Sequence, residues 1–288
     1  MSSAAEVINT TEKGSWHWGL WLRQIGAIMR LELRKNFLSR RSILIYLIAF
    51  LPFLPAAALA FFRMEEERTF NNLGMFYAIM YHTLIRTLIF FGCAWIFMNL
   101  FRGELVDQSL HYYFLSPVRR EVLVTGKYLS GLVTSAVLFT ATTVVSMFLL
   151  FFPRFFSQSL RYFTEGRGVN QLLAYAGITV LACVGYGAFF LVVGLFIRNP
   201  IIPALLLYGW ESINFLLPPF LKKISVIHYL NSMSPVPVSS VIKEGPLAVI
   251  AEPTPAWISV PSMLLVTLVV LIVAGLRTRH MEIRYGND

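Results

Sequence analysis

Charge is what this sequence has least of. Only 14% of its 288 residues are Asp, Glu, Lys or Arg, against about 25% in an ordinary soluble domain. That leaves too little polar surface to solvate a globule of this size. Cysteine is nearly absent too. Cys93 and Cys183 both fall inside apolar runs, where they read as small hydrophobes rather than a disulfide framework. The five histidines (His17, His82, His111, His228 and His280) are scattered. No two stand three or four residues apart and there is no His-Glu-x-x-His, so no metal site is expected. The apolar runs lack the period-two alternation of barrel strands. No cleavable signal peptide is expected, because the first 40 residues are polar and charged.

Catalytic and cofactor-binding constellations are also missing. Gly126-Lys127 looks like the end of a phosphate-binding loop. However, Glu121 stands where the first glycine belongs, and Tyr128 replaces the Ser or Thr that would meet magnesium. Glu65-Glu66-Glu67-Arg68 reads as a solvated charge cluster. No enzyme, cofactor or nucleic-acid partner is expected of this chain.

Apolar length is what the sequence does have. Hydrophobic residues make up 57% of the chain and its mean hydropathy is +0.66. A helix rises 1.5 Å per residue, so about 20 apolar residues cross the hydrocarbon core. Six stretches approach that length: 43–62, 75–101, 128–152, 172–197, 201–217 and 258–276. The fifth is short. The fold class expected is an all-α integral membrane protein with about six transmembrane helices. Its parts are a cytoplasmic N-terminus (1–42), a six-helix transmembrane domain (43–276) and a cytoplasmic tail (277–288). With both termini inside, the inside segments carry 15 Lys and Arg and the outside segments eight. That bias favours this orientation, and the net charge of +9 then reflects flanking anchors in the lipid bilayer rather than nucleic-acid binding.

Four connecting segments carry further information. On a helical wheel of residues 18–37, Trp18, Trp21, Leu22, Ile25, Ile28, Met29 and Leu33 fall on one arc, opposite Arg23, Arg30 and Arg34. This predicts an amphipathic helix lying in the membrane interface. Loop 102–127 is the longest inside connection. It holds an amphipathic run from Glu104 to Leu115, then Ser116-Pro117, an N-cap and first-turn pair that starts a new helix. Arg198-Asn199-Pro200 predicts a tight turn between the fourth and fifth spans. The outside segment 218–257 is rich in proline yet apolar. It is expected to fold against the membrane as broken short helices, or to dip in partway.

The stretch from Glu104 to Tyr128 resembles the type-2, export-type permeases of ATP-binding-cassette (ABC) transporters. The matching residues are Glu104, Gln108-Ser109-Leu110, Leu115-Ser116-Pro117-Val118-Arg119-Arg120 and Gly126-Lys127-Tyr128. Gln108-Ser109 departs from the Gly-Thr of the family. The layout of interfacial helix, six spans and apolar outside segment also agrees over nearly the whole chain. The resemblance implies an inner-membrane permease subunit that pairs with a second permease subunit, identical or paralogous. It also implies two separate ABC ATPase subunits, which would engage a coupling helix in loop 102–127. Glu104, Asp107, Tyr112, Tyr113, Arg119 and Arg120 would meet the ATPase, with Pro117 fixing the corner. A reading from another class is a structural or assembly subunit of a larger membrane complex.

Two intramembrane charges stand apart. Glu211 lies ten residues into the fifth span, or about 15 Å deep, and Arg86 lies fifteen residues from the inner end of the second, or about 22 Å. A carboxylate at that depth costs about 2.5–3.5 kcal/mol unless it meets a partner or a wet cavity. Both residues are therefore expected to line the pathway or the dimer seam, with Arg86 the candidate partner of Glu211.

Overall fold

Hydrocarbon offers backbone groups no hydrogen-bond partners, so a chain that crosses it must satisfy them internally, as helix or closed barrel. The computed structural model of the chain describes residues 18–39, 42–62, 66–106, 118–153, 156–197, 201–213, 218–222, 225–236 and 254–279. Among these every element is helical and there is no strand. In order they are α1 (Trp18–Leu38), α2 (Ser42–Phe50), α3 (Phe53–Phe62), α4 (Glu66–Met80), a π-helical turn (Tyr81–Ile85) and α5 (Arg86–Val106). Then follow α6 (Arg120–Phe151), α7 (Phe156–Thr164), α8 (Gly168–Phe196), α9 (Ile201–Ser212), α10 (Pro219–Lys222), α11 (Val226–Ser232) and α12 (Ala256–Arg279).

Four of the expected spans are helices long and apolar enough to cross a membrane: Leu73–Gly103, Arg120–Phe151, Gly168–Phe196 and Ala256–Thr278. The other two are shorter pieces. The first expected span is divided at Leu51-Pro52 into α2 and α3. Pro52 has no N–H to continue the ladder, and Thr142 of α6 donates its hydroxyl to the buried Ala49 carbonyl in the last turn of α2 at 2.9 Å. The stretch Ser42–Ala58, which holds α2 and the start of α3, is bent by 66° from α1, and by length and composition α1 with that stretch can make one broken span. The fifth expected span is described only as α9, twelve residues or about 18 Å long. Residues 214–217 lie outside the described residues.

The bundle is packed around aromatic rings set against small residues. Phe97 of α5 is fully buried. A methyl group on Gly131 (α6) would lie 2.9 Å from its ring, and one on Gly187 (α8) 2.4 Å. Only glycine admits the ring at both positions, which brings three spans together where lipid gives no hydrophobic push. Toward the other end, Tyr77, Tyr81 and Tyr175 interlock with ring centroids 4.6–6.3 Å apart. A polar chain from the Tyr81 hydroxyl through Thr179 (2.9 Å) to Thr143 (3.1 Å) ties the second, fourth and third spans.

Candidate functional site

Two polar clusters are built into the bundle, one at the end where α6 begins and one deeper within it. The first surrounds the start of α6. α1 and α6 run side by side in the same direction. Trp21 meets Arg119, Ile28 meets Gly126 and Asn36 meets Thr134, a constant offset of 98 residues. A Cβ on Gly126 would sit 3.0 Å from Ile28, so glycine there sets how closely the two helices approach. At the contact, Lys127 is completely buried and donates to Glu32 at 2.8 Å and to the Leu100 carbonyl of α5 at 2.9 Å. Its ammonium also stands 5.3 Å from the Phe101 ring centroid.

The same two turns of α6 hold a further partner. Arg120 donates to the Thr278 carbonyl of α12 at 2.9 Å. Arg119 lies 4.8 Å over the Trp21 ring. A length of α6 from 119 to 127 is thus tied by charged side chains to α1, α5 and α12. Glu32 and Lys127 are the residues that sequence reasoning missed. Their signal was present: Glu32 is the sole acid of α1 and sits on its apolar arc, and Lys127 falls inside the first apolar turns of a span.

This changes the reading of α1. The helix forms where expected, but Trp21, Ile25 and Ile28, assigned to the membrane-facing arc, turn toward α6 instead. Arg23, Arg30 and Arg34 are exposed, as are Trp18, Leu20, Leu22 and Leu31. Of the coupling residues, Arg119 and Arg120 come together at the head of α6. That helix begins at Arg120, after an extended Arg119. Glu104 lies in the last turn of α5, and its side chain is outside the described residues. Asp107, Tyr112, Tyr113 and Pro117 lie outside the described residues, along with 107–115 of the expected helix, whose first residues continue α5.

The second cluster surrounds Glu211, which is 4% exposed. Its carboxylate accepts the backbone N–H groups of Val226 (3.1 Å) and Ile227 (2.9 Å), and the Tyr186 hydroxyl at 3.3 Å. Tyr186 lies ten residues from the C-terminal end of α8, about 15 Å along the helix. The first turn of α11 therefore reaches deep into the bundle, and part of the expected outside segment dips inward. Non-helical backbone at that depth is tolerated only when buried in protein. Glu211 supplies the acceptors that the first N–H groups of a helix lack.

Arg86 grips the same short helix from the other side, donating to Asn231 Oδ1 at 2.6 Å. His82 in the π-helical turn meets Ser234 at 2.9 Å, and His228 meets Thr254 ahead of α12 at 3.1 Å. Arg86 and Glu211 make no direct ion pair. They line one cavity of about 50 Å³ with Thr87, Phe90, Tyr186 and Tyr208. The two charges come together as neighbours that share a small polar space and one re-entrant helix.

A family model described as ABC-2 family transporter protein matches residues 28–209, from within α1 to within α9. No curated protein and no solved structure matches the chain.

Proposed function

The chain belongs to the ABC-2 family of transporter proteins, and from that premise we propose that it is the permease subunit of an ATP-driven exporter. Transport across the membrane bilayer is the family's work, and ATP hydrolysis resides on separate ATPase subunits. In this reading two permease chains form the pathway, each with six crossings. The first crossing is the broken pair α2–α3, and the fifth is α9 with the residues that follow it. Both termini and the segment joining α5 to α6 face the cytoplasm, where that segment meets the ATPase.

One observation carries the reading. The residues just past the coupling segment, Arg119, Arg120 and Lys127, are each tied to another helix: α1, α12, and α1 with α5. An ATPase that pulls on this segment displaces α6, and the charged ties pass the displacement to three more helices. The buried pair keeps its geometry under load because separating it leaves two charges without solvent. At the far end, Arg86 and Glu211 hold α11 across the outward side of the pathway, so movement of α5 and α9 shifts it.

The test is co-purification with the ATPase, followed by an ATPase and transport assay. The wild-type chain is expected to bring down an ATPase whose hydrolysis supports export. Glu104→Lys and Tyr113→Ala are expected to detach or uncouple it and leave the chain folded. Normal subunit content and transport after both changes would refute the coupling assignment. Absence of any bound ATPase would refute the function.

A further inference from the structure

We propose that the outer face of α1 binds the headgroup of an anionic phospholipid at Arg30 and Arg34, where this helix meets the membrane boundary. Arg23, Arg30 and Arg34 are all exposed. At 3.6 residues per turn they fall within about 40° of one another, opposite the buried Ile28 and Glu32 that face α6. Glu32 is the sole acid of α1, and it is buried against Lys127. Charge on the exposed face is therefore all of one sign. Among the described residues no acid forms an ion pair with Arg30 or Arg34.

Two independent observations put these arginines at headgroup depth. The offset of 98 residues between α1 and α6 sets Arg30 level with Tyr128 and Arg34 level with Leu132. Those are the first turns of the apolar run that begins at 128. The exposed surface of the chain also changes character just beyond them. From Ser42 to Phe62 the sequence holds no charge. The side chains exposed there, Ile43, Leu47, Phe50 and Leu54 among them, are all apolar. A surface that passes from arginine to isoleucine and leucine within a few turns leaves the headgroups for hydrocarbon.

Charge selects the occupant. Two guanidinium groups one turn apart present forked N–H donors to phosphate oxygens. A headgroup of net negative charge is attracted by both. The ammonium of a zwitterionic headgroup finds no carboxylate on this face and is repelled by the arginines. An acidic protein surface has the same complementary charge. However, Leu31 and Leu38 are exposed beside the arginines, and at this depth their apolar surface meets acyl chains. The face depends on how α1 packs on α6, and so stands whether or not an ATPase partners the chain.

The experiment is native mass spectrometry of the full-length chain, delipidated in detergent and titrated with phosphatidylglycerol or phosphatidylcholine of the same acyl composition. The wild type is expected to take its first phosphatidylglycerol at about 25-fold lower concentration than its first phosphatidylcholine, about fivefold for each arginine. Arg30→Gln and Arg34→Gln are each expected to raise the phosphatidylglycerol concentration about fivefold and to leave phosphatidylcholine unchanged. Arg23→Gln lies about 10 Å further from the boundary than Arg30 and is expected to change neither. Equal uptake of the two lipids by the wild type would overturn the headgroup assignment. Uptake of phosphatidylglycerol indifferent to Arg30→Gln and Arg34→Gln would remove the site from α1. A loss as large in Arg23→Gln would overturn its placement at the boundary. Saturable binding of polyglutamate that phosphatidylglycerol fails to displace would give the face to an acidic protein instead.

Discussion

Lys127 exposes none of its surface, and its charge is answered by Glu32 and one backbone carbonyl. Such a pair adds little net stability compared with apolar residues of the same size, because both ions surrender their hydration. Removing one partner is different: Glu32→Leu leaves the Lys127 ammonium buried without its carboxylate, at about 3–5 kcal/mol, whereas Lys127→Met leaves Glu32 its longer contact with Lys35 at 3.6 Å. Glu32→Leu is expected to lower the thermal unfolding midpoint in detergent sharply, and Lys127→Met by less. The double variant should recover most of the Glu32→Leu loss, since no buried charge is left stranded. A double variant no more stable than Glu32→Leu would show that the pair is not the relevant unit. Glu211 obeys the same logic with backbone donors in place of a cation. Glu211→Leu leaves the Val226 and Ile227 N–H groups bare, at about 1–3 kcal/mol each, whereas Glu211→Gln keeps an acceptor. The expected readout is a cysteine at Ser232. It should become reactive to thiol reagents in Glu211→Leu, stay protected in the wild type, and fall between in Glu211→Gln. Equal protection in all three would remove Glu211 from the support of α11.

At the scale of elements, the four long spans were legible because a run of twenty-odd apolar residues has few other uses. α1 was legible as a helix, but the direction of its apolar face was not. A wheel separates apolar from polar and cannot separate lipid from protein, since lipid tails are as apolar as leucine. Trp21 and Ile28 therefore read as membrane-facing, although they pack on α6. The break at Pro52 was overlooked for a related reason: hydropathy ignores the missing N–H, and the Thr142 hydroxyl that bonds the Ala49 carbonyl at the end of α2 comes from 93 residues away. The separation of Arg86 from Glu211 was estimated from helical rise alone. They do share a cavity. Their closest partners, Asn231 and the N–H groups of α11, come from a segment whose inward path no periodicity in the sequence specifies. Loop 102–127 gave the family resemblance, and the family match to residues 28–209 bears that resemblance out.

For the whole molecule, the distribution of cations between the two ends implies an orientation that can be tested directly. Arg119, Arg120, Lys127, Arg277 and the exposed arginines of α1 gather at one end of the bundle, where Arg277 also caps the Phe196 ring at 5.2 Å. Among the described residues the end that holds α7 is poorer in cations, and there Phe151 and Tyr162 stack at 5.4 Å to close the turn between the third and fourth spans. Since lysine and arginine remain on the side from which a span is inserted, the cation-rich end should be cytoplasmic. Both native cysteines are buried, and replacing them gives a clean background for single labels. Ser109→Cys, in the coupling segment, is expected to stay unlabelled by an impermeant thiol reagent in intact cells and to react once the membrane is opened. Ser157→Cys, exposed at the head of α7, should react in intact cells. The opposite pattern would invert the protein and put the charged ties of α6 on the side without ATP, ending the coupling proposal. Labelling of Ser109 and Ser157 from the same side would mean that the third span, α6, does not cross the membrane between them.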